Sequence, residues 1–109
     1  GLTSILELTL DSNILKGTIP TELGHLTALT VLYVNGNALT GTIPTDLGQL
    51  TALSVLNVSN NSLHGSIPTE LGLVNVLSFL DVSSNMLTGT LPGALTQTNV
   101  KFDATKITS

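Results

Sequence analysis

The acidic and imidazole side chains are the groups in this sequence that could perform acid–base or metal chemistry. Glu22, Asp46 and Glu70 recur at a fixed interval, and calcium, which takes several carboxylate and carbonyl oxygens, is a candidate ligand for such a row. His25 and His64 occupy different places in the recurring pattern and share no evident partner, which is typical of surface histidines. Catalysis requires such groups to converge in one pocket, and this spacing does not predict convergence.

Glu7 and Asp11 are a closer pair of carboxylates, in a segment that alternates apolar and polar residues. On a strand that rises about 3.3 Å per residue, they would stand roughly 13 Å apart. A glycosidase pair needs a separation of about 5–9.5 Å, so this spacing is too wide. The chain also has no cysteine, no nucleophile elbow and no phosphate-binding loop. We therefore expect a chain that is not an enzyme and that holds no metal and no cofactor.

The charge composition excludes several classes of partner. The 109 residues carry a formal net charge of −4, and the 3 basic residues are Lys16, Lys101 and Lys106. Nucleic acid is held by clustered lysine and arginine, so we expect no nucleic-acid partner. The apolar runs are far shorter than the roughly 20 residues that cross a bilayer, so we expect no membrane span. The chain opens on Gly1 without a signal peptide, which favours a mature product or an excised segment.

The sequence repeats itself every 24 residues (37 minus 13), and this period explains most of its apolar residues. Asn recurs at 13, 37, 61 and 85, Gly at 17, 41, 65 and 89, and Pro at 20, 44, 68 and 92. Five apolar columns keep step with them: Ile5/Leu29/Leu53/Leu77, Leu8/Leu32/Leu56/Leu80, Leu10/Val34/Val58/Val82, Ile19/Ile43/Ile67/Leu91 and Leu23/Leu47/Leu71/Leu95. A fixed period of this length indicates a solenoid, whose coils bury a core only by stacking. We expect one domain over 1–109, with repeats at about 5–28, 29–52, 53–76 and 77–100 and a degenerate partial repeat at 101–109.

Each repeat also predicts how its coil is built. Residues 29–37 (LTVLYVNGN) place Leu32 and Val34 inward and Tyr33 and Asn35 outward, which is the two-residue period of a half-buried strand. Successive strands run the same way and should pair as a parallel sheet. The column asparagines are expected to form a structural ladder by bonding backbone groups that a tight bend leaves unpaired: Asn13, Asn37, Asn61 and Asn85.

The proline of each repeat is expected to begin a short helical turn, because proline fits the first helical position. Glu22, Asp46 and Glu70 then fall two residues further on, where a helix N-terminus favours negative charge. The helix start thus explains the three acids without a metal ion, and it stands beside the calcium hypothesis.

The repeat written LTALTVLYVNGNALTGTIPTDLGQ (26–49) follows the pattern LxxLxxLxLxxNxLxGxIPxxLGx. It resembles the plant-type leucine-rich repeat of receptor-kinase ectodomains and polygalacturonase-inhibitor-like proteins, over residues 5 to about 98. The resemblance implies an α/β solenoid: a right-handed coil with a parallel β-sheet on the concave face and short 3-10 or helical turns on the convex face. It also implies an extracellular or cell-surface location and ligands on the concave face.

The two ends of the chain depart from that family pattern. The cysteine-paired caps of extracellular members are missing, and the last row carries Gly93 and Ala94 in place of the Thr-acid pair. The segment FDATKI (102–107) is expected to form a shortened fifth strand, two residues out of register. Open ends would expose apolar edges and unpaired strand groups. Either a longer array or a covering partner is therefore expected.

The outward strand positions supply a candidate ligand-binding face. It comprises Val31, Tyr33, Val55, Asn57, Phe79 and Asp81. Aromatic residues on an apolar strip with a polar rim are typical of an interface core, although such a column could also lean inward and pack the sheet edge. Asn57 and Asn60 begin N-glycosylation sequons, and glycans there would crowd the same face.

Three functions remain open from the sequence. The first is an extracellular recognition module for a protein, peptide or glycan. The second is a structural protein that self-associates through the solenoid ends, because a contact that never closes makes a fibre. The third is ice binding by a hydroxyl-rich flank that comprises Thr18, Thr40, Thr42, Ser66, Thr88 and Thr90. The alternative explanation for these residues is that small β-branched side chains suit and solvate a strand edge.

Overall fold

The chain folds as a stack of coils, each built from a strand, a bend, a second short strand and a 3-10 helix. The computed structural model describes residues 5–95, 98–103 and 106–108. Its strands are β1 (Glu7–Thr9), β2 (Lys16–Thr18), β3 (Val31–Tyr33), β4 (Ala38–Thr40), β5 (Val55–Asn57), β6 (His64–Gly65), β7 (Phe79–Asp81), β8 (Met86–Leu87), β9 (Gly89–Thr90), β10 (Asn99–Lys101) and β11 (Ile107–Thr108). Its 3-10 helices are Thr21–His25, Thr45–Gln49, Thr69–Leu73 and Gly93–Leu95. The α/β solenoid predicted from the repeat is confirmed.

Five strands form one parallel sheet in the order β1–β3–β5–β7–β10. Leu32 stands opposite Leu8 on one side and Leu56 on the other, so the first strands keep the repeat interval. The predicted alternation is also confirmed, since Leu32 and Val34 are buried while Tyr33 is partly exposed. Because successive side chains of a strand point to opposite faces, one face of the sheet packs on the core and the other is open.

The fifth strand lies earlier in the chain than the sequence predicts. The prediction of a fifth strand within 102–107 is wrong. The last strand of the main sheet is β10, in which Val100 stands opposite Leu80. The paired positions are 20 residues apart (99 minus 79) in place of 24, because Val100 supplies the apolar side chain for the core column at this point. Phe102 then packs against the core. Residues 104 and 105 of the expected strand lie outside the described residues.

The apolar columns of the repeat fill one continuous core between the main sheet and the 3-10 helices. Its centre is leucine, with Leu29, Leu53 and Leu56 each 0% exposed. Full burial of one such side chain stabilises the fold by about 1.5–3 kcal/mol, so the core residues of each coil contribute only when a neighbouring coil covers them.

Each proline lies one residue before its helix, not at the first helical position as the sequence predicts. Pro20 has an extended ψ of 133°, and the helix begins at Thr21. A proline φ near −65° suits an extended residue as well as a helical one, and the Pro20 carbonyl accepts the Leu23 N–H at 3.2 Å. Glu22 still lies in the first turn.

Glycine sets the distance between the 3-10 helices of neighbouring coils. A Cβ on Gly24 would lie 2.6 Å from the Asp46 carbonyl oxygen, and one on Gly48 would lie 2.6 Å from that of Glu70. Neither approach leaves room for a methyl group against backbone. Glycine at these positions therefore permits the close stacking on which the core depends.

Candidate ligand-binding face

Three of the four column asparagines, Asn37, Asn61 and Asn85, fasten the end of a main-sheet strand to the coil before it. Asn61 Nδ2 donates to the Val34 carbonyl at 3.0 Å, and its Oδ1 accepts the Leu39 N–H at 3.1 Å. Asn85 makes the equivalent bonds one coil later and is 5% exposed. These hydrogen bonds fix the position of the strand ends and so the face that the strands present.

The six residues predicted to bind a ligand lie side by side on the three central strands. Register places Val55 between Val31 and Phe79, and it places Asn57 between Tyr33 and Asp81. Neighbouring strands lie about 4.7–4.9 Å apart, so each trio forms a continuous column. All six side chains are partly exposed: Val31, Tyr33, Val55, Asn57, Phe79 and Asp81.

The column of Val31, Val55 and Phe79 is not part of the core. These side chains are partly exposed, whereas the neighbouring Leu56 is 0% exposed. The Lys101 Nζ lies 5.8 Å from the centre of the Phe79 ring, within the roughly 6 Å of a cation–π contact. The column is thus an open apolar strip with a cation at its C-terminal end.

The polar members of the face are held in place by local hydrogen bonds. Asn57 Oδ1 accepts the Ser59 N–H at 3.0 Å and the Ser59 hydroxyl at 2.7 Å. Asp81 Oδ1 accepts the same two groups of Ser83, at 3.1 and 2.6 Å. This Asx-turn arrangement orients both side chains before a partner arrives. The sequence analysis did not predict the hydrogen bonds of the two serines, although the recurrence of an Asx residue followed two positions later by serine was the signal for them.

The two sequon asparagines differ in their surroundings. Asn57 is partly exposed, and the Ser59 of its sequon is 3% exposed. Asn60 is exposed at the bend that follows β5, with a left-handed φ of 55°. Both lie at the third coil, with Asn57 within the binding face and Asn60 just after the strand that carries it.

The histidines and several of the acidic side chains lie on the surface of the protein. His25, His64, Glu7 and Asp11 are exposed, and Glu22 accepts the neighbouring Thr21 hydroxyl at 3.2 Å. Within residues 5–95, 98–103 and 106–108, no three His, Asp or Glu side chains are placed to hold a metal ion. No helix in this part of the chain is long and apolar enough to cross a membrane.

The hydroxyl-rich flank has a different register from the one expected. Thr18 stands opposite Thr40, an interval of 22 residues (40 minus 18), so the hydroxyl columns predicted at one repeat interval are not the strand partners. Thr90 stands opposite Thr108, whereas the pair between them in the stack is His64 and Met86. Among the paired residues of these short strands, the hydroxyls therefore form two separate pairs with His64 and Met86 between them, while Thr42, Ser66 and Thr88 are exposed outside the strands.

Comparison with known proteins agrees with this architecture. The Leucine Rich Repeat family model matches residues 28–50, 52–73 and 76–97, which is more than half of the chain. The chain belongs to the leucine-rich repeat family. A search of curated protein sequences gives no match for this leucine-rich repeat chain.

Solved structures of plant leucine-rich repeat proteins are similar to it. The complex of BIR3 and SERK2 from Arabidopsis thaliana matches with a TM-score of 0.83 and 32% identity over 95% of this chain. The Arabidopsis receptor kinase HAESA, solved with the peptide hormone IDA and the co-receptor SERK1, matches with a TM-score of 0.85 and 34% identity over 94% of this chain. A plant ice-binding protein matches with a TM-score of 0.84 and 30% identity over 91% of this chain. This chain spans 57%, 18% and 34% of those chains, respectively.

Proposed function

We propose that the leucine-rich repeat chain is a non-catalytic recognition module that acts outside the cell and binds a protein or peptide on its concave face. The observation that carries this proposal is the partly exposed strip of Val31, Val55 and Phe79 beside Tyr33 on the three central strands. The receptor ectodomains to which the chain is similar include one solved with a peptide hormone and a co-receptor, which supports the same class of partner.

The geometry favours a protein or peptide over a glycan. Two of the three residues in the apolar column are valines, which offer a partner contact area but no hydrogen bonds. Aromatic side chains in a desolvated centre are the residues that carry most binding energy in protein interfaces, and Tyr33 and Phe79 occupy diagonal corners of this one. The hydrogen bonds that orient Asn57 and Asp81 reduce the entropy lost on binding.

The test begins with peptides selected from a random-sequence displayed library on the immobilised chain. Their dissociation constants are then measured for the wild type, Tyr33→Ala, Phe79→Ala and the control Thr45→Ala, whose side chain is exposed on a 3-10 helix. Loss of a hot-spot aromatic costs about 2 kcal/mol, so the two aromatic variants should weaken binding about thirtyfold and the control should not. Selected peptides whose dissociation constants are unchanged by both aromatic substitutions would refute the proposal.

Ice binding is the second candidate. It is supported by the exposed hydroxyl pairs of the flank, Thr18 with Thr40 and Thr90 with Thr108, and by the similarity to a plant ice-binding protein. It ranks below peptide binding because larger side chains interrupt those pairs. Thermal hysteresis of the wild type, lost in Thr40→Lys and kept in Tyr33→Ala, would support it, and no hysteresis in the wild type would exclude it.

A further inference from the structure

The sequence contains a single Asn-Gly pair, Asn35–Gly36, at the bend that follows β3 in the second coil. An asparagine side chain loses ammonia when the backbone nitrogen of the next residue attacks its Cγ. Glycine in the next position permits this attack best, because any larger side chain crowds the nitrogen. Every other asparagine precedes Ile, Ala, Val, Met, Ser or Asn. Asn35 is therefore the asparagine whose covalent surroundings favour deamidation most.

The close packing of the first two coils favours glycine at this bend. Gly36 has a left-handed φ of 69°, and a Cβ on it would lie 3.3 Å from the Ser12 Cα of the first coil. Ser12, Asn60 and Ser84 adopt a left-handed φ at the equivalent bends, but they follow Asp or Ser. Only the second coil combines a bend glycine with a preceding asparagine.

Hydrogen bonds to both neighbouring coils hold Asn35 and Gly36 in place. The Asn35 carbonyl accepts the Ser12 N–H of the first coil at 2.9 Å. The Gly36 N–H donates to the Ser59 carbonyl of the third coil at 3.0 Å, so the nitrogen that must lose its proton and attack is already engaged. Asn35 and Gly36 are both partly exposed, which means that water reaches them. The barrier to deamidation in the folded chain is thus the stacking of the coils.

We propose that Asn35–Gly36 is a latent deamidation site, closed while the second coil is stacked on its neighbours and open whenever they separate. In the open chain, the Gly36 nitrogen bonds to the Asn35 Cγ and the Cγ–Nδ2 bond breaks. Nδ2 leaves as ammonia with the proton from the Gly36 nitrogen. Water then opens the resulting succinimide ring at one of its two carbonyls, which gives either aspartate or isoaspartate.

The isoaspartate product prevents the coil from stacking again. Its main chain runs through Cβ and Cγ of residue 35, which adds one atom before the Gly36 nitrogen and turns the former backbone carbonyl into a carboxylate. The bonds from Ser12 to Asn35 and from Gly36 to Ser59 span a main chain of normal length, so the longer chain does not make both. Each opening of the second coil therefore risks a change that keeps it open.

Peptide mapping by mass spectrometry tests the site. The chain is incubated at mildly alkaline pH, in buffer and in urea concentrated enough to unfold it. We expect Asn35 to deamidate first among the 9 asparagines in urea, and at least about tenfold more slowly in buffer, because opening a stacked coil costs free energy. Equal rates at Asn35 in the two solutions would overturn the protection by stacking. Faster conversion of another asparagine in urea would overturn the site.

Two variants separate the effects of charge and of backbone length. Asn35→Ser places the residue of the equivalent Ser59 and Ser83 in this column, so it should fold as the wild type does and remove the modification. Asn35→Asp carries the charge of the products on a normal backbone and should keep a urea midpoint close to that of the wild type. The purified isoaspartate chain should have a clearly lower midpoint. A wild-type midpoint for that chain, or an equal fall in Asn35→Asp, would overturn the backbone argument.

Discussion

Replacement of Asn85 by alanine tests whether the asparagine ladder holds the coils together. Asn85 Nδ2 donates to the Val58 carbonyl at 3.0 Å, and Oδ1 accepts the Leu63 N–H at 3.0 Å. Both partners are fully buried residues, and Asn85 itself is 5% exposed. Asn13 occupies the same position in the first coil but is exposed, and its amide donates to Leu10 and Asp11 of its own turn.

The difference in burial sets the expected magnitudes. Asn85→Ala removes the side-chain partners of two backbone groups that water does not replace, and each such loss costs about 1–3 kcal/mol. The free energy of unfolding should therefore fall by about 2–6 kcal/mol, which is a large part of the roughly 5–15 kcal/mol of a typical domain. Asn13→Ala leaves the Leu10 and Asp11 carbonyls to hydrogen-bond with water, so the free energy of unfolding should fall by about 0.5 kcal/mol or less.

Urea denaturation followed by circular dichroism measures both variants against the wild type. The ladder assignment predicts a lower midpoint for Asn85→Ala and an almost unchanged one for Asn13→Ala. Equal shifts in the two variants would refute the reasoning, because the loss would then come from the asparagine conformation and not from burial. A shift in the Asn85 variant below about 1 kcal/mol would show that water takes over the lost bonds.

Three further predictions concern single positions. Gly48→Ala should lower the free energy of unfolding, measured by urea denaturation, by several kcal/mol, because its Cβ would lie 2.6 Å from a carbonyl oxygen. Gly93→Ala is the control, because a Cβ there would have nothing within 4 Å, and equal losses in the two variants would contradict the stacking role. Ser84→Gly should raise the unfolding free energy by about 0.5–1 kcal/mol, because a left-handed φ of 56° is strained for serine and the equivalent Gly36 adopts it freely; a loss would show that the serine side chain stabilises the bend. Secretion from a eukaryotic cell should add an N-glycan to the exposed Asn60. Mass spectrometry should show the added mass of the glycan in the wild type and its absence in Asn60→Gln, and a wild type without that added mass would contradict the prediction.

Residues that recur unchanged in every repeat made the fold predictable. A leucine column at one interval predicts a buried face, and an outward Tyr33 beside an inward Leu32 predicts a strand. The face of the candidate site followed from the same alternation, since Val31, Val55 and Phe79 share one column. Regularity in the sequence was therefore sufficient where the structure is regular.

The sequence failed where register depends on backbone geometry. In the last coil, Val100 displaced the expected strand because a four-residue shortening of the coil places it beside Leu80, and the side-chain pattern did not specify that shortening. On the flank, Thr18 pairs with Thr40 because the coils are staggered there, which side-chain type does not encode. The Ser59 hydrogen bonds to Asn57 were missed because the same letters also spell a glycosylation sequon.

Nuclear magnetic resonance of the ¹⁵N-labelled chain, titrated with the tightest peptide from the displayed library, tests the binding face most directly. The proposed function predicts that the amide signals of β3, β5 and β7 shift, with the largest changes near Tyr33, Val55 and Phe79. The amides of the flank strands and of the 3-10 helices should stay in place. Shifts confined to the flank or to the 3-10 helices would contradict the concave face as the recognition surface.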